Sequence, residues 1–186
     1  VGLVRDGLEE ARMKTFNDFL EAALHIGGRA AALDNAIESA LEAVGKHVEE
    51  VIEEKFGEYQ DAAGDYPKWK ALAESTQKER TRLGFAPNEP LLRKGNLRES
   101  ISYVTDSGPI EDSVTIGSTS QIVFFHEVGY FNARTQRFVE PRATHGPALI
   151  EERDEIRGLL GTAVVMGMTR GRTSLGVLSV HNVGAI

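Results

Sequence analysis

Apolar positions recur at helical spacing over the first third of the chain and then give way to shorter patterns. From about Asp6 to His25, Leu8, Phe16, Phe19, Leu20, Ala23 and Leu24 fall at mainly three- and four-residue steps, which predicts an amphipathic helix. Gly27-Gly28 reads as a break after it. Beyond it Leu33, Ile37, Leu41, Val44, Val48, Val51, Ile52 and Phe56 carry the same period, with Glu38, Glu42, Glu49, Glu50, Glu53 and Glu54 mostly off the stripe. This predicts a second helix from Arg29 to Phe56, about 40 Å long at 1.5 Å per residue. The Val44 to Phe56 half reads as a contribution to the core. The Phe-rich first helix suits an arm on a neighbour equally well.

The period changes after Gly57. Ala62-Ala63-Gly64-Asp65-Tyr66-Pro67 is turn material, and Trp69, Leu72, Ala73 and Thr76 share a helical face, so a short helix is expected to about Arg82. Gly84, Pro87 and Pro90 stop it. Asn96 is placed as the N-cap of another short helix within Leu91 to Ser102. Ser102 to Thr105 and Ser113 to Gly117 flank Asp106-Ser107-Gly108-Pro109 and predict a β-hairpin.

Ile122, Val123, Phe124 and Phe125 form the densest apolar cluster, which is expected to be buried, as helix or strand. Tyr130 to Pro141 reads as an extended loop or edge hairpin, being polar around Asn132, Arg134, Gln136 and Arg137. A last helix is expected from near Pro147 through Leu149, Ile150, Ile156, Leu159 and Leu160, weakened by Gly158, Gly161, Gly167 and Gly171. Thr173 to Ile186 is apolar, with His181 as its one titratable side chain, and is expected to pair as a strand within the fold or across a subunit boundary.

These elements describe an α+β fold, with long N-terminal helices and a C-terminal helix packed on a small, mostly antiparallel sheet. The organisation divides into a helical region over 1–56, an α+β core over 57–172 and an apolar tail over 173–186. At 186 residues the chain suits one domain with an appended helical element.

Charge and composition narrow the function. Of 28 acidic and 21 basic side chains, 13 and 6 lie within Val1 to Glu58, so the helical front carries the whole net charge of −7. That disfavours duplex DNA binding through a basic face, since phosphate neutralisation supplies most non-specific affinity. No apolar run approaches the roughly 20 residues that span a bilayer, so no membrane partner is expected. The chain has no cysteine, hence no disulfide and no thiolate nucleophile or ligand.

Chemistry finds little support. His126-Glu127 opens like the helical zinc motif, but Tyr130 stands where the second histidine is required, and His25, His47, His145 and His181 have no histidine at ligand spacing. No phosphate-binding glycine loop or nucleophile elbow is present. Glu49-Glu50 and Glu151-Glu152 are read as solvated helix-face pairs rather than a hydrolytic dyad. No catalytic, cofactor or metal residue is assigned. A basic stretch remains, in which Lys68, Lys70, Lys78, Arg80, Arg82, Arg93, Lys94 and Arg98 outnumber Glu74, Glu79 and Glu89. It reads as a solvated face, a surface for a neighbour's acidic helix, or a nucleic-acid contact.

An ordered set of motifs resembles the virion morphogenesis and tail-completion proteins of tailed bacteriophages. It comprises a helix ending near Phe56; Pro67, Trp69, Leu72 and Thr76; the run Leu91-Leu92-Arg93-Lys94-Gly95-Asn96-Leu97-Arg98-Glu99-Ser100-Ile101; and Ile116-Gly117-Ser118 leading to Phe125-His126-Glu127-Val128-Gly129. The likeness covers roughly Val44 to Leu160. It departs from the family where a Pro-x-Arg-Pro-Phe-like element is represented only by Pro141-Arg142 with Phe138 nearby. The N-terminal helical extension and the apolar tail are also unusual for it.

The resemblance implies a subunit of a homo-oligomeric ring, hexameric in the family, between head connector and tail. Its neighbours would be connector or adaptor and tail tube or sheath proteins, and its lumen would meet DNA passively. Its place would be the virion neck, after assembly in the host cytoplasm. Arg93, Arg98, Arg134, Arg137 and Arg142 are the expected interface residues, the last three facing an adjacent acidic helix. The alternatives are a nucleic-acid-binding assembly factor using Lys68 to Arg98, or another minor head or tail protein such as a head-tail adaptor.

Overall fold

The computed structural model describes residues 19–108 and 111–169. The part of the first expected helix that precedes Phe19, Gly171 and the apolar tail over 173–186 lie outside the described residues. Among the described residues the fold is α+β, with five α-helices and two separate two-stranded antiparallel sheets rather than one sheet.

Helix α1 runs from Phe19 to Glu54 without interruption. The break expected at Gly27-Gly28 does not occur. Each glycine costs a helix about 1 kcal/mol against alanine, and the flanking run of alanine and leucine propagates the hydrogen bonds across the pair. Its 36 residues span about 54 Å. The buried seam is an i, i+4 ridge of Ala36, Ala40, Val44, Val48, Ile52 and Phe56. Its two alanines are packed against Ala163 of α5 (Arg153–Thr169), where small side chains let the helices close on each other. The larger residues meet Ile101, Val123, Ala148 and Leu159 in the main core. Val48 and Ile52 are wholly buried, each worth about 2 to 3 kcal/mol of transfer free energy.

Two polar links tie α1 to the C-terminal helices. Lys55, almost wholly buried, meets Glu151 of α4 (His145–Glu151) at 2.5 Å, and His47 Nε2 meets Glu152 at 2.7 Å. The final helix is therefore two helices, joined at Glu152. Pro147 occupies the third position of α4, still in the first turn, where its missing amide costs nothing. Gly167 is a packing residue in α5, for a Cβ there would lie 2.7 Å from the Leu33 Cα.

Strands β1 (Ile101–Ser107) and β2 (Asp112–Ser118) form the expected hairpin, with Val104 opposite Thr115, lying across α1. The Gly108 amide donates to the Glu111 carbonyl across the turn. Gly45 lets the hairpin approach the helix, since a Cβ there would stand 2.4 Å from the Tyr103 ring.

Helix α2 begins only at Glu74 and ends at Arg82. Trp69, expected on its face, lies in the non-helical segment before it, buried, with its amide donating to the Gln60 carbonyl at 2.9 Å. Pro67 and burial of the indole hold that segment out of helix. Asn96 does not cap a helix. It is exposed, and the short 3-10 turn at Arg98–Ser100 starts from Leu97 with no side-chain cap.

Candidate functional site

The segment from Ser118 to Gly129 builds the most distinctive part of the surface. The Ser120 hydroxyl accepts from the Ile122 amide at 3.3 Å and starts α3 (Gln121–Val128), settling the helix-or-strand question as helix. Gly129 ends it with φ +76, a conformation side-chain-bearing residues rarely adopt, and a Cβ there would also strike the Phe138 ring. The chain then turns into a small hairpin of β3 (Tyr130–Asn132) and β4 (Arg137–Val139), the edge-hairpin alternative for this segment.

The burial expected for Ile122 to Phe125 is overturned. Only Val123 enters the core, while Ile122 is 53%, Phe124 61% and Phe125 46% exposed. Four consecutive apolar residues on a helix point around its circumference, so a surface helix can bury only part of such a run. Val128, Phe131 and Phe138 are exposed as well. Phe124 and Phe125 meet edge-to-face at 6.0 Å, Phe125 meets Tyr130 at 6.1 Å, and Phe131 faces Phe138 across the hairpin. Exposed apolar side chains thus occur on both α3 and the hairpin, which meet at the Phe125–Tyr130 contact, while Phe131 and Phe138 project from the side of the hairpin opposite Tyr130.

Behind this face α3 is locked to α4 by Glu127. One carboxylate oxygen, Oε1, accepts from the Thr144 amide at 2.7 Å, the Thr144 hydroxyl at 2.8 Å, the His145 amide at 3.1 Å and the His145 Nδ1 at 2.9 Å. The carboxylate serves as the cap of α4, whose own Thr144 side chain makes no capping bond. Burial pushes the Glu127 carboxyl up, but the His145 ring and the Thr144 and His145 donors outweigh it and hold it below its ordinary value. The neighbouring His126 is held below its usual value by burial, aided by the Arg142 cation and opposed by Glu127.

A cleft of about 330 Å³ lies beside this joint, lined by Ser118, Thr119, Ser120, Gln121, Phe124 and His145 among others. The Ser118 hydroxyl is engaged with Ser100 at 2.7 Å and with the Ser120 amide at 3.0 Å. His145 Nε2 makes no hydrogen bond, and the hydroxyl beside the imidazole, Thr144 Oγ1 at 3.1 Å from Nδ1, donates to Glu127. Among the described residues no group of three or more His, Asp or Glu side chains is placed to hold a metal ion, and no helix is long and apolar enough to cross a membrane.

The five expected interface arginines are dispersed. Arg134 and Arg137 stand together at the tip of the β3–β4 hairpin, exposed and without an ion pair among the described residues; the Asn132 carboxamide oxygen accepts the Arg134 and Thr135 amides and shapes that tip. Arg142 is half-buried and donates to the Lys70 carbonyl at 3.1 Å, which ties it inside its own fold. Arg93 pairs with Glu79 at 3.9 Å and lies over the Phe85 ring, and Arg98 is exposed in the 3-10 turn.

The basic stretch is largely engaged too. Lys68 pairs with Asp61, Lys70 with Glu140 and Lys78 with Glu74, while buried Arg80 donates to the carbonyls of Ala86 and Leu92. Reading the sequence missed the exposed apolar face and the Glu127 joint, because neither has a local spacing signal: the partners of Glu127 lie 17 and 18 residues away. A scan against protein-family models and searches of curated proteins and of solved structures find no match to this chain.

Proposed function

We propose that this chain is a structural subunit of a bacteriophage neck or tail-completion ring, joining the head connector to the tail during virion assembly. The observation that carries the reading is the set of large apolar side chains exposed on α3 and the β3–β4 hairpin of a single copy, with Arg134 and Arg137 exposed at the hairpin tip. Aromatic side chains and arginine are the residues enriched where proteins meet. The resemblance to tail-completion proteins supplies the kind of assembly. Several of its motif residues perform structural work here: Trp69 is buried, Glu127 caps α4, and Gly129 takes the positive φ that starts the hairpin.

In this reading the subunits form a homo-oligomeric, hexameric ring in the virion, in contact with connector and tail proteins and with DNA passing through the lumen. The nucleic-acid-binding alternative is weakened by the engagement of Lys68, Lys70, Lys78, Arg80 and Arg93 with groups of the same chain.

Mass measurement and electron microscopy of the purified chain and of the particle test the proposal. Rings, and the protein's presence at the neck of intact virions, are the expected result. No ring under any condition together with absence from virions would overturn it. An affinity for duplex DNA that falls steeply with salt, in a protein that never oligomerises, would favour the alternative.

A further inference from the structure

Helix α5 carries a cost that its own packing does not explain. Glycine weakens a helix relative to alanine, and Gly158, Gly161 and Gly167 all lie within α5. Gly167 is on the buried side, where Leu33 of α1 leaves no room for a larger residue. Gly158 and Gly161 are exposed, and a Cβ at either would meet nothing within 4 Å among the described residues. Close approach within the chain therefore does not require them.

The outward side of α5 is also apolar. Leu159, Ala163 and Gly167 mark the buried side, and Gly161, Val164, Val165 and Met168 follow the i, i+3, i+4, i+7 pattern that places them together on the opposite one. Val165 is 60%, Met168 54% and Val164 39% exposed. No charged side chain occurs from Gly158 to Thr169, and the nearest exposed charges, Asp154 and Arg157, pair with each other at 3.6 Å. The face thus holds a notch of two glycines next to a ridge of larger side chains, both free of charge.

Notch and ridge share one spacing, for Gly158 and Gly161 are three residues apart and so are Val165 and Met168. We infer that α5 is an isologous contact surface for a second copy of this chain, laid antiparallel with the two-fold axis level with Ala163. Val165 of each copy then sits over Gly161 of the other, and Met168 over Gly158, as self-complementarity about a two-fold axis demands. The glycines let the two helix backbones approach closely. A parallel arrangement would set ridge against ridge and leave the notches empty. An acidic or basic partner gains nothing from a charge-free face, whereas a second copy fills it without burying a charge. Arg157 falls beside Thr169 of the other copy, at the rim and in water. An isologous contact stops at two copies, so this one is separate from any that closes a ring and does not rest on the proposed function. One helix face buries less than the about 800 Å² per partner of a standard interface, so the pair is weak on its own.

Sedimentation of the full chain from micromolar to millimolar concentration is expected to show monomer in equilibrium with dimer. Gly158→Gln with Gly161→Gln should raise the melting temperature of the dilute protein, glutamine being the better helix former, while weakening dimerisation at least about tenfold. Because the two readouts move in opposite directions, misfolding does not mimic the result. The chain contains no cysteine, so Gly158→Cys and Met168→Cys report the orientation. A short bismaleimide should crosslink their mixture far more than either variant alone. Association unchanged by the glutamines, crosslinking of Gly158→Cys with itself in preference to the mixture, or a monomer at millimolar concentration would overturn the inference. Rings that form without any α5 crosslink would sink this contact and leave the neck reading standing. A crosslinked dimer that never forms rings would support the contact and count against that reading.

Discussion

Glu127 and His145 meet through a 2.9 Å hydrogen bond from the imidazole Nδ1 to a carboxylate oxygen that also takes the Thr144 and His145 amides. The same oxygen therefore orients the ring and caps the helix that carries it. Hydrogen bonds to a charged group contribute about 1.5 to 3 kcal/mol each when removed singly, and they are not additive here because all share one acceptor. Glu127→Ala should lower stability to urea by about 2 to 4 kcal/mol, with Glu127→Gln in between. Amide exchange at Thr144 and His145 should accelerate more than at Val48, which reports the core.

Acid should destabilise the protein in two stages. His126 has a folded pKa below its ordinary 6.5, so the unfolded chain takes up its proton first and stability is lost as pH falls below that value. Glu127 is also held below its ordinary value of 4.5, and its contribution, present above that pH, is lost as pH falls through the lower folded value. Melting temperature measured against pH should decline on both steps. His126→Gln should flatten the upper step and Glu127→Gln the lower one; a profile unchanged by either would refute the assignment.

Gly45→Ala sets helix propensity against space. Alanine gains about 1 kcal/mol over glycine in a helix, but its Cβ would intrude on the Tyr103 ring, and forced repacking costs about 1 to 3 kcal/mol. The net expectation is destabilisation. In a Tyr103→Ala background the ring is gone and the same substitution should stabilise, so a double-mutant cycle measured by denaturant unfolding should show a change of sign.

Core and surface apolar residues should separate cleanly. Ile52→Ala, at a wholly buried position, should cost about 2 to 5 kcal/mol. Phe124→Ser, at a position 61% exposed, should change the stability of a single copy by less than about 0.5 kcal/mol while reducing self-association in sedimentation. Equal loss of stability from both would mean that α3 packs inside the fold.

Local pattern alone determined the α+β class, the Val44 to Phe56 core stripe, the β1–β2 hairpin and a helical end to the described chain, since each depends on periodicity or turn chemistry within a few residues. Only the tertiary structure decided whether Gly27-Gly28 interrupts α1, where Trp69 lies, and that Phe124 and Phe125 face outward. Those outcomes depend on which surface a neighbouring element happens to cover. The reach of Glu127 to α4 is of the same kind, for a hydrogen bond between distant segments leaves no spacing in the sequence from which it can be read.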